Sequence, residues 1–276
     1  MAKSAPTATT IIIASRANLS FNDFLIHMAP WVIVVMLVIT PMLVFMFRKQ
    51  LVNAPEDRTR ISKLDENSYL KDKVLLRKSL FVLGAVMIAF VLHTALHLEP
   101  SIVAMLGAGL LVGISGLKPK DYAMDVEWGT LVFFAGLFIM VGALVKTGAL
   151  GEFADFLKDQ VGDQASLAAM VLLFVSAILS GVVDNIPYVA SMSPVVTELA
   201  ANVSDKHGDV LWWSLAFGAD FGGNATIIGA SANVVAIGLA HKAGIKISFW
   251  QFAKYGIPVT FVSVAMVVPY ILIRYF

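Results

Sequence analysis

Long apolar stretches separated by short polar segments run through this sequence. Five of them are uninterrupted and cover about residues 30–47, 79–98, 101–117, 128–145 and 258–273. A bilayer core of about 30 Å needs about 20 apolar residues in a helix, so each is a candidate membrane span. The pattern therefore predicts an all-α membrane protein.

Two further apolar regions are interrupted in the middle. Residues 165–200 are broken by Asp184-Asn185-Ile186-Pro187, and residues 211–239 are broken by Gly222-Gly223-Asn224. Non-helical backbone is tolerated at membrane depth only where protein or a water-filled cavity satisfies it. We expect about six transmembrane helices plus a re-entrant hairpin, from the first region, and a broken helix, from the second.

The distribution of basic residues predicts the orientation. Nine of the 20 lysines and arginines lie between residues 48 and 78, so the positive-inside rule places loop 49–78 in the cytoplasm. Lys242 and Lys246 reach the same side only if residues 165–200 enter and leave on the outer side, which favours a hairpin. We expect a multi-pass protein of the plasma (inner) membrane.

Composition excludes several classes of function. The chain is 58% hydrophobic and 14% charged, and its net charge of +1 offers no basic field for nucleic acid. Because it has no cysteine, disulfides and thiolate metal sites are excluded. His93 and His97 are four residues apart, and without a third ligand nearby we interpret them as interfacial. Trp212, Trp213 and Trp250 are typical interfacial anchors. No metal or cofactor is predicted beyond a coupling Na⁺ or H⁺.

The first break carries a carboxylate. Asp184 or Asn185 can cap a new helix in which Pro187 is the first residue. An ionised aspartate at membrane depth is unfavourable by at least about 2.5–3.5 kcal/mol, and a serine would cap nearly as well. We therefore interpret Asp184 as a cation ligand or protonatable group, with a purely structural cap as the alternative.

The second break is rich in glycine and hydrogen-bonding side chains. Its candidate ligands for a substrate or ion are Gly222, Gly223, Asn224, Thr226, Ser231 and Asn233, to which the first break adds Asp184, Asn185, Ile186 and Pro187. A new helix is expected to begin near Thr226 and to point its amides at the gap. The alternative is close helix packing through small residues. Asp220 is a candidate proton carrier or a structural partner.

These two motifs, about 35 residues apart, resemble those of the ion transporter superfamily, in particular the branch of the arsenical pump membrane protein, the melanocyte P protein and citrate carriers. Residues 127–134 are similar to the same branch. The resemblance implies two inverted repeats, each with a hairpin and a broken helix, and a homodimer. It implies that this chain is one half of such a transporter: its first hairpin is absent, and its first broken helix is a remnant.

On that basis the chain divides into a remnant and outer loop (1–29), the last helix of the first repeat (30–48), a cytoplasmic connector (49–78), scaffold helices (79–147) and a transport domain (148–276). The predicted function is secondary active transport of a small ion, an arsenite-type or other anion coupled to or exchanged with Na⁺ or H⁺. A Na⁺/H⁺ antiporter is the alternative, and a separate ATPase subunit stays open. Other classes are a non-transporting truncated product and an intramembrane aspartyl protease with Asp184 and Asp220 as a pair.

Overall fold

In the computed structural model the described residues are 8–51, 72–96, 98, 100–116, 118–126, 128–148, 152, 155, 164–202, 208–242 and 244–276. Among them are twelve helices and no strand. The helices are α1 (Ala8–Ala17), α2 (Phe21–His27), α3 (Ala29–Leu51), α4 (Lys73–Leu96), α5 (Pro100–Ser115), α6 (Pro119–Asp125), α7 (Trp128–Lys146), α8 (Ala165–Val182), α9 (Asn185–Asn202), α10 (Gly208–Gly222), α11 (Ser231–Lys242) and α12 (Phe249–Tyr275).

Several of these helices are apolar and long enough to cross a membrane. Within the described ranges, four helices meet both criteria, in Ala29–Arg48, Lys73–Leu92, Ala165–Val182 and Phe249–Tyr275. Shorter apolar helices occupy Ser101–Ser115 and Ser231–His241. The prediction of an all-α, multi-pass membrane protein is confirmed. The predicted connector 49–78 lies mostly outside the described residues, as does His97, and for His93 only the helical backbone of α4 is described.

The chain forms two compact units, one of residues 40–128 and one of residues 1–39 with 129–276. In the first unit α4 packs against α5 and buries Val82, Phe90 and Val103. The Lys78 ammonium group donates a hydrogen bond of 2.6 Å to the Ile114 carbonyl near the C-terminus of α5. A cation there also interacts favourably with the negative end of the helix dipole.

The second unit is built around α10. Every residue from 210 to 219 is buried, and α10 packs against α1, α8, α9 and α12. Its large apolar side chains share one core with those of the neighbouring helices, among them Leu173, Val189, Phe217 and Val267. Within a bilayer such side chains stabilise the packed unit through van der Waals contacts rather than through removal of apolar surface from water.

Helices α8 and α10 run parallel and in close contact. A methyl group on Gly218 would lie 2.6 Å from the Cβ atom of Ser176, and one on Gly222 would lie 2.7 Å from the Cα atom of Ala177. Distances under 3.0 Å leave no room for a side chain. The two glycines, four residues apart on one face, therefore let the backbones approach.

Helices α8 and α9 form the predicted hairpin. They are antiparallel, and the Tyr188 hydroxyl of α9 donates a hydrogen bond of 3.0 Å to Ser176 Oγ of α8. The turn between them lies beside the loop that follows α10, and that loop packs on Gly256 of α12. Gly256 is seven residues, about 10 Å of helix rise, inside the N-terminus of α12. The loop therefore packs about two helical turns into α12, and the re-entrant character of the hairpin stays a prediction.

Three sequence expectations about boundaries and burial were wrong. The last helix begins at Phe249 rather than Pro258, because the Ser248 hydroxyl caps it by accepting a hydrogen bond from the Gln251 amide. The helix after the second break begins at Ser231, five residues beyond Thr226. Trp212 and Trp213 are buried in the core, and Phe24 and His27 of α2 pack on Trp213, whereas Trp250 is 78% exposed as an interfacial anchor would be.

Candidate functional site

The turn of the hairpin places one carboxylate at the start of α9. Asp184 Oδ1 accepts a hydrogen bond of 3.0 Å from the Ile186 amide, so Asp184 rather than Asn185 caps the helix. Pro187 is the third residue of α9 instead of the first. The other carboxylate oxygen, Oδ2, accepts a hydrogen bond of 2.6 Å from the Ser231 hydroxyl at the start of α11. Asp184 therefore joins two helix N-termini.

The loop after α10 folds against this turn. Thr226 Oγ1 donates a 2.6 Å hydrogen bond to the Gly181 carbonyl and accepts one of 3.1 Å from the Gly229 amide. The main-chain N–H of Asn185 donates a hydrogen bond to the Gly229 carbonyl at 3.3 Å. The two sequence motifs are thus in direct contact through main-chain and side-chain atoms.

Asn233 acts from α11 as a brace across the same loop. Its Nδ2 donates to the Gly223 carbonyl at 2.8 Å and to the Thr226 carbonyl at 2.9 Å. An asparagine amide has two N–H donors, so both are used in these bonds and Oδ1 is what the side chain can offer a ligand. Asn233 and Thr226 therefore hold the loop in shape, which is nearer to the packing interpretation of this motif than to direct ligation.

The glycines of the loop are needed for its close folding. A methyl group on Gly223 would lie 2.8 Å from the Gly229 carbonyl oxygen, and one on Gly229 would lie 3.0 Å from that of Ser180. Gly222 and Gly223 are buried, as are Thr226 and Gly229. These positions accept backbone contacts that any other residue would displace.

A different set of predicted residues borders open space. Asn224 and Ser231 are exposed, and Asp184, Asn185 and Ile186 are half-buried. The polar atoms of this set are carboxylate, hydroxyl and amide groups, and no lysine or arginine lies in either break. Oxygen ligands of this kind suit hard cations. No group of three or more His, Asp or Glu side chains within the described ranges is arranged to hold a metal ion.

Two residues of α12 border the loop and were not found from the sequence. Thr260 Oγ1 donates a 3.1 Å hydrogen bond to the Phe221 carbonyl, and Gly256 contacts the carbonyl groups of Asn224 and Ala225. Both lie within an apolar stretch that shows no break. The signal that could have found them is their spacing of four residues, which puts a small and a hydroxyl residue on one helix face.

Asp220 has a different environment from Asp184. It lies in the last turn of α10, is half-buried, and its Oδ1 accepts a hydrogen bond of 2.6 Å from the Thr9 hydroxyl of α1. Thr9 itself is fully buried. This contact gives Asp220 a structural partner, one of the two roles open from the sequence.

Comparison with known proteins identifies the family to which this chain is similar. A family model described as "Citrate transporter" matches residues 6–218, which include the hairpin turn and end before the loop that follows α10. The chain is 50% identical over 266 residues to a "46 kDa membrane protein" of Mycobacterium leprae, covering 96% of this chain and 62% of the relative. No solved structure matches.

More distant relatives extend the comparison. An uncharacterised transporter of Synechocystis is 33% identical over 284 residues, covering 93% of this chain and 61% of the relative. The P protein of Homo sapiens is 37% identical over 227 residues, covering 79% of this chain and 27% of the relative. The family description and the names of the mycobacterial and Synechocystis relatives are those of membrane proteins and transporters rather than enzymes. The chain spans about 62% of the length of the mycobacterial relatives.

Proposed function

The chain belongs to the citrate transporter family, and we propose that it is a secondary active transporter, or part of one, that moves a small anion together with a coupling cation. One observation carries this proposal: the Asp184 carboxylate lies where the hairpin turn, the loop after α10 and the start of α11 meet. Transporters bind ions at such junctions of broken helices. Asp184 would bind Na⁺ directly or carry a proton.

The absence of basic residues from both breaks supports a cation at this site. An anion bound there needs its charge balanced, and neither break supplies a lysine or an arginine. A cation held by Asp184 would supply that charge. A carboxylate such as citrate is the first anion to test because of the family name, followed by an arsenite-type anion and chloride.

We divide the ten predicted ligands between two roles. The polar residues that are exposed or half-buried would contact the ion or anion: Asp184, Asn185, Asn224 and Ser231. The remaining six shape the turn and the loop: Ile186, Pro187, Gly222, Gly223, Thr226 and Asn233. Asp220 stays a candidate proton carrier, distinguished from Asp184 by its bond to Thr9.

A Na⁺/H⁺ antiporter is the second candidate function. The observation that favours it is the same single carboxylate with no basic partner in either break, because one carboxylate can exchange a proton for Na⁺ without any anion. Sodium-dependent proton movement in the absence of citrate, arsenite and chloride would distinguish it from the first candidate.

The first experiment measures cation binding apart from transport. The protein is placed in nanodiscs and its melting temperature is followed as NaCl replaces choline chloride at constant ionic strength. A ligand at 100 times its Kd stabilises the folded state by about 2.7 kcal/mol, so Na⁺ should raise the melting temperature. Asp184→Asn should abolish the rise, and Asp155→Asn, a change of an exposed carboxylate, should keep it.

The second experiment measures flux in proteoliposomes. Uptake of labelled citrate, driven by a Na⁺ or a proton gradient, should disappear in Asp184→Asn with the fold intact, and Asn224→Ala or Asn233→Ala should raise the apparent KM. Normal flux in Asp184→Asn would remove that residue from the mechanism. A cation response without flux would favour a non-transporting product or a missing further segment.

We further propose a homodimer in the plasma membrane with segment 49–78 in the cytoplasm. Since the chain has no cysteine, single-cysteine variants can report sidedness directly. In intact cells an impermeant maleimide should label Asp209→Cys and leave Lys71→Cys unlabelled. Light scattering of the purified protein tests the dimer, and co-purification tests a separate ATPase subunit.

A further inference from the structure

The loop after α10 is held by two neighbouring helices. Helix α8 approaches it, and a methyl group on Gly181 would lie 3.1 Å from the Cβ atom of Ala225. Helix α12 approaches it so closely that a methyl group on Gly256 would lie 2.6 Å from the Ala225 carbonyl oxygen and closer still to that of Asn224. Residues 224 and 225 therefore have little lateral freedom.

Thr260, one turn beyond Gly256, fixes the beginning of the same loop. Its hydroxyl donates a hydrogen bond of 3.1 Å to the Phe221 carbonyl. The same carbonyl also accepts a hydrogen bond of 3.1 Å from the main-chain N–H of Asn224. The last carbonyls of a helix have no partner within the helix, and the Phe221 carbonyl accepts one hydrogen bond from the loop and a second from the neighbouring helix. The bond ties the end of α10 to α12.

This clamp acts on the residues that complete the site of Asp184. Asn224 is exposed at the loop surface, and Thr226, two residues further, is bonded to Gly181 of the hairpin. A shift of residues 224 and 225 would move both side chains relative to the carboxylate. Such displacements are functionally costly, because ion ligands need to be held within about 0.5 Å.

We propose that Gly256 and Thr260 are positioning residues for the cation site at Asp184, with Gly256 setting how near α12 the loop carbonyls lie and Thr260 anchoring the end of α10. The inference rests on the proposed function of that site. It assigns to α12, which contributes no ligand, control over the affinity for the coupling cation.

The test measures the apparent Kd for Na⁺ from the melting temperature in nanodiscs across a NaCl titration. Thr260→Val, which keeps the shape and removes the donor, should weaken the apparent affinity about three- to tenfold. Thr260→Ser should restore it to within about twofold, because the hydroxyl returns. Gly256→Ala should weaken the affinity at least as much as Thr260→Val.

Two controls separate positioning from general destabilisation. Tyr188→Phe removes a buried hydrogen bond between α8 and α9 at Ser176, so it should lower the melting temperature without changing the Na⁺ affinity. Gly238→Ala adds a methyl group with no atom of the described residues within 4 Å, so it should leave the Na⁺ affinity unchanged and the melting temperature the same or slightly higher.

The outcomes distinguish this inference from the proposed function. A sodium response in the unaltered protein that is equally strong in Thr260→Val and Gly256→Ala would overturn the inference alone. An unaltered protein whose melting temperature does not respond to Na⁺, and whose citrate uptake is driven by neither a Na⁺ nor a proton gradient, would overturn both. Should Tyr188→Phe weaken the affinity as much as Thr260→Val, the effect would be general and the inference would again be wrong.

Discussion

Two helices of this protein carry the same glycine spacing in opposite surroundings. In α10, Gly218 and Gly222 are four residues apart and press against the backbone of α8. In α5, Gly109 and Gly113 have the same spacing, and no atom of the described residues lies within 4 Å of a methyl group placed on either. The spacing of small residues thus indicates a face along which a helix can be approached closely. Only the tertiary contacts decide whether a neighbour uses it.

The largest effect is expected at the packed pair. Gly222→Ala places a methyl group 2.7 Å from the Cα atom of Ala177, and the backbone there cannot move aside without displacing the hairpin. Overpacking of this kind destabilises by about 1–3 kcal/mol or more. Gly222→Ala should lower the melting temperature by several degrees or prevent accumulation of folded protein, as measured in detergent or nanodiscs. An unchanged melting temperature would contradict the close packing of α8 and α10.

The loop side chains extend the comparison from backbone to hydrogen bonds. Asn233→Ala removes two hydrogen bonds to the carbonyls of Gly223 and Thr226, each with a net contribution of about 0.5–1.5 kcal/mol. We expect a loss of about 1–3 kcal/mol in unfolding free energy. Asn224→Ala changes an exposed side chain and should stay within about 0.5 kcal/mol. Chemical denaturation measures the unfolding free energy of both variants. Equal losses of unfolding free energy would mean that Asn233 does not stabilise the loop.

A smaller effect is expected from pH at the other end of α10. Burial lowers the pKa of His27 below its ordinary value of 6.5, and the charge of Arg274 lowers it further, opposed by Asp23 and Asp209. The His27 ring stacks on Trp213 and its Nδ1 is 2.6 Å from the Tyr275 hydroxyl. Since the unfolded chain binds this proton more readily, stability should be complete above about pH 6.5 and fall as the pH drops through it.

The measurement is the difference in melting temperature between pH 7.5 and pH 5. His27→Gln keeps a hydrogen-bonding side chain for Tyr275 and removes the titration, so its difference should be smaller than that of the unaltered protein by a degree or two. His241 of α11 is exposed, and His241→Gln serves as the matched control that should keep the full difference. Identical pH responses in all three proteins would mean that His27 does not cause the pH dependence of the melting temperature.

The smallest effect is expected at the open pair. Gly109→Ala adds a methyl group in open space, and alanine favours a helix over glycine by roughly 0.5–1 kcal/mol. The melting temperature should stay the same or rise slightly. A strongly lowered melting temperature would instead show that a further copy, a lipid or another segment packs on that face.

Much of the architecture could be predicted from local patterns. Apolar length predicted the membrane helices, and the break at Asp184 and the glycine-rich break after α10 indicated where the hairpin turn and the loop lie. The charge distribution favoured the hairpin, and only the family resemblance implied that the two breaks form one site. The features that failed depend on groups distant in sequence. Trp213 is buried because Phe24 and His27 of α2 pack on it, and no periodicity around residue 213 encodes that contact.

The start of α11 and the role of α12 illustrate the same limit. Thr226 is a residue type that commonly begins a helix. Here its hydroxyl bonds to the Gly181 carbonyl and the Gly229 amide, and the chain stays in turns until Ser231. Gly256 and Thr260 look like ordinary members of an apolar helix. Their importance becomes visible only when the loop of α10 is placed against them.

The bonds made by α1 and α2 have a consequence for synthesis. Thr9 is bonded to a residue 211 positions away, and His27 to one 248 positions away. At about 5–20 residues per second, ribosomes need on the order of tens of seconds to supply those partners. During that time the first two helices wait at the translocon or in lipid without these two distant partners. Factors that hold nascent membrane segments should therefore matter more to this protein's yield than to that of helices closed by near neighbours.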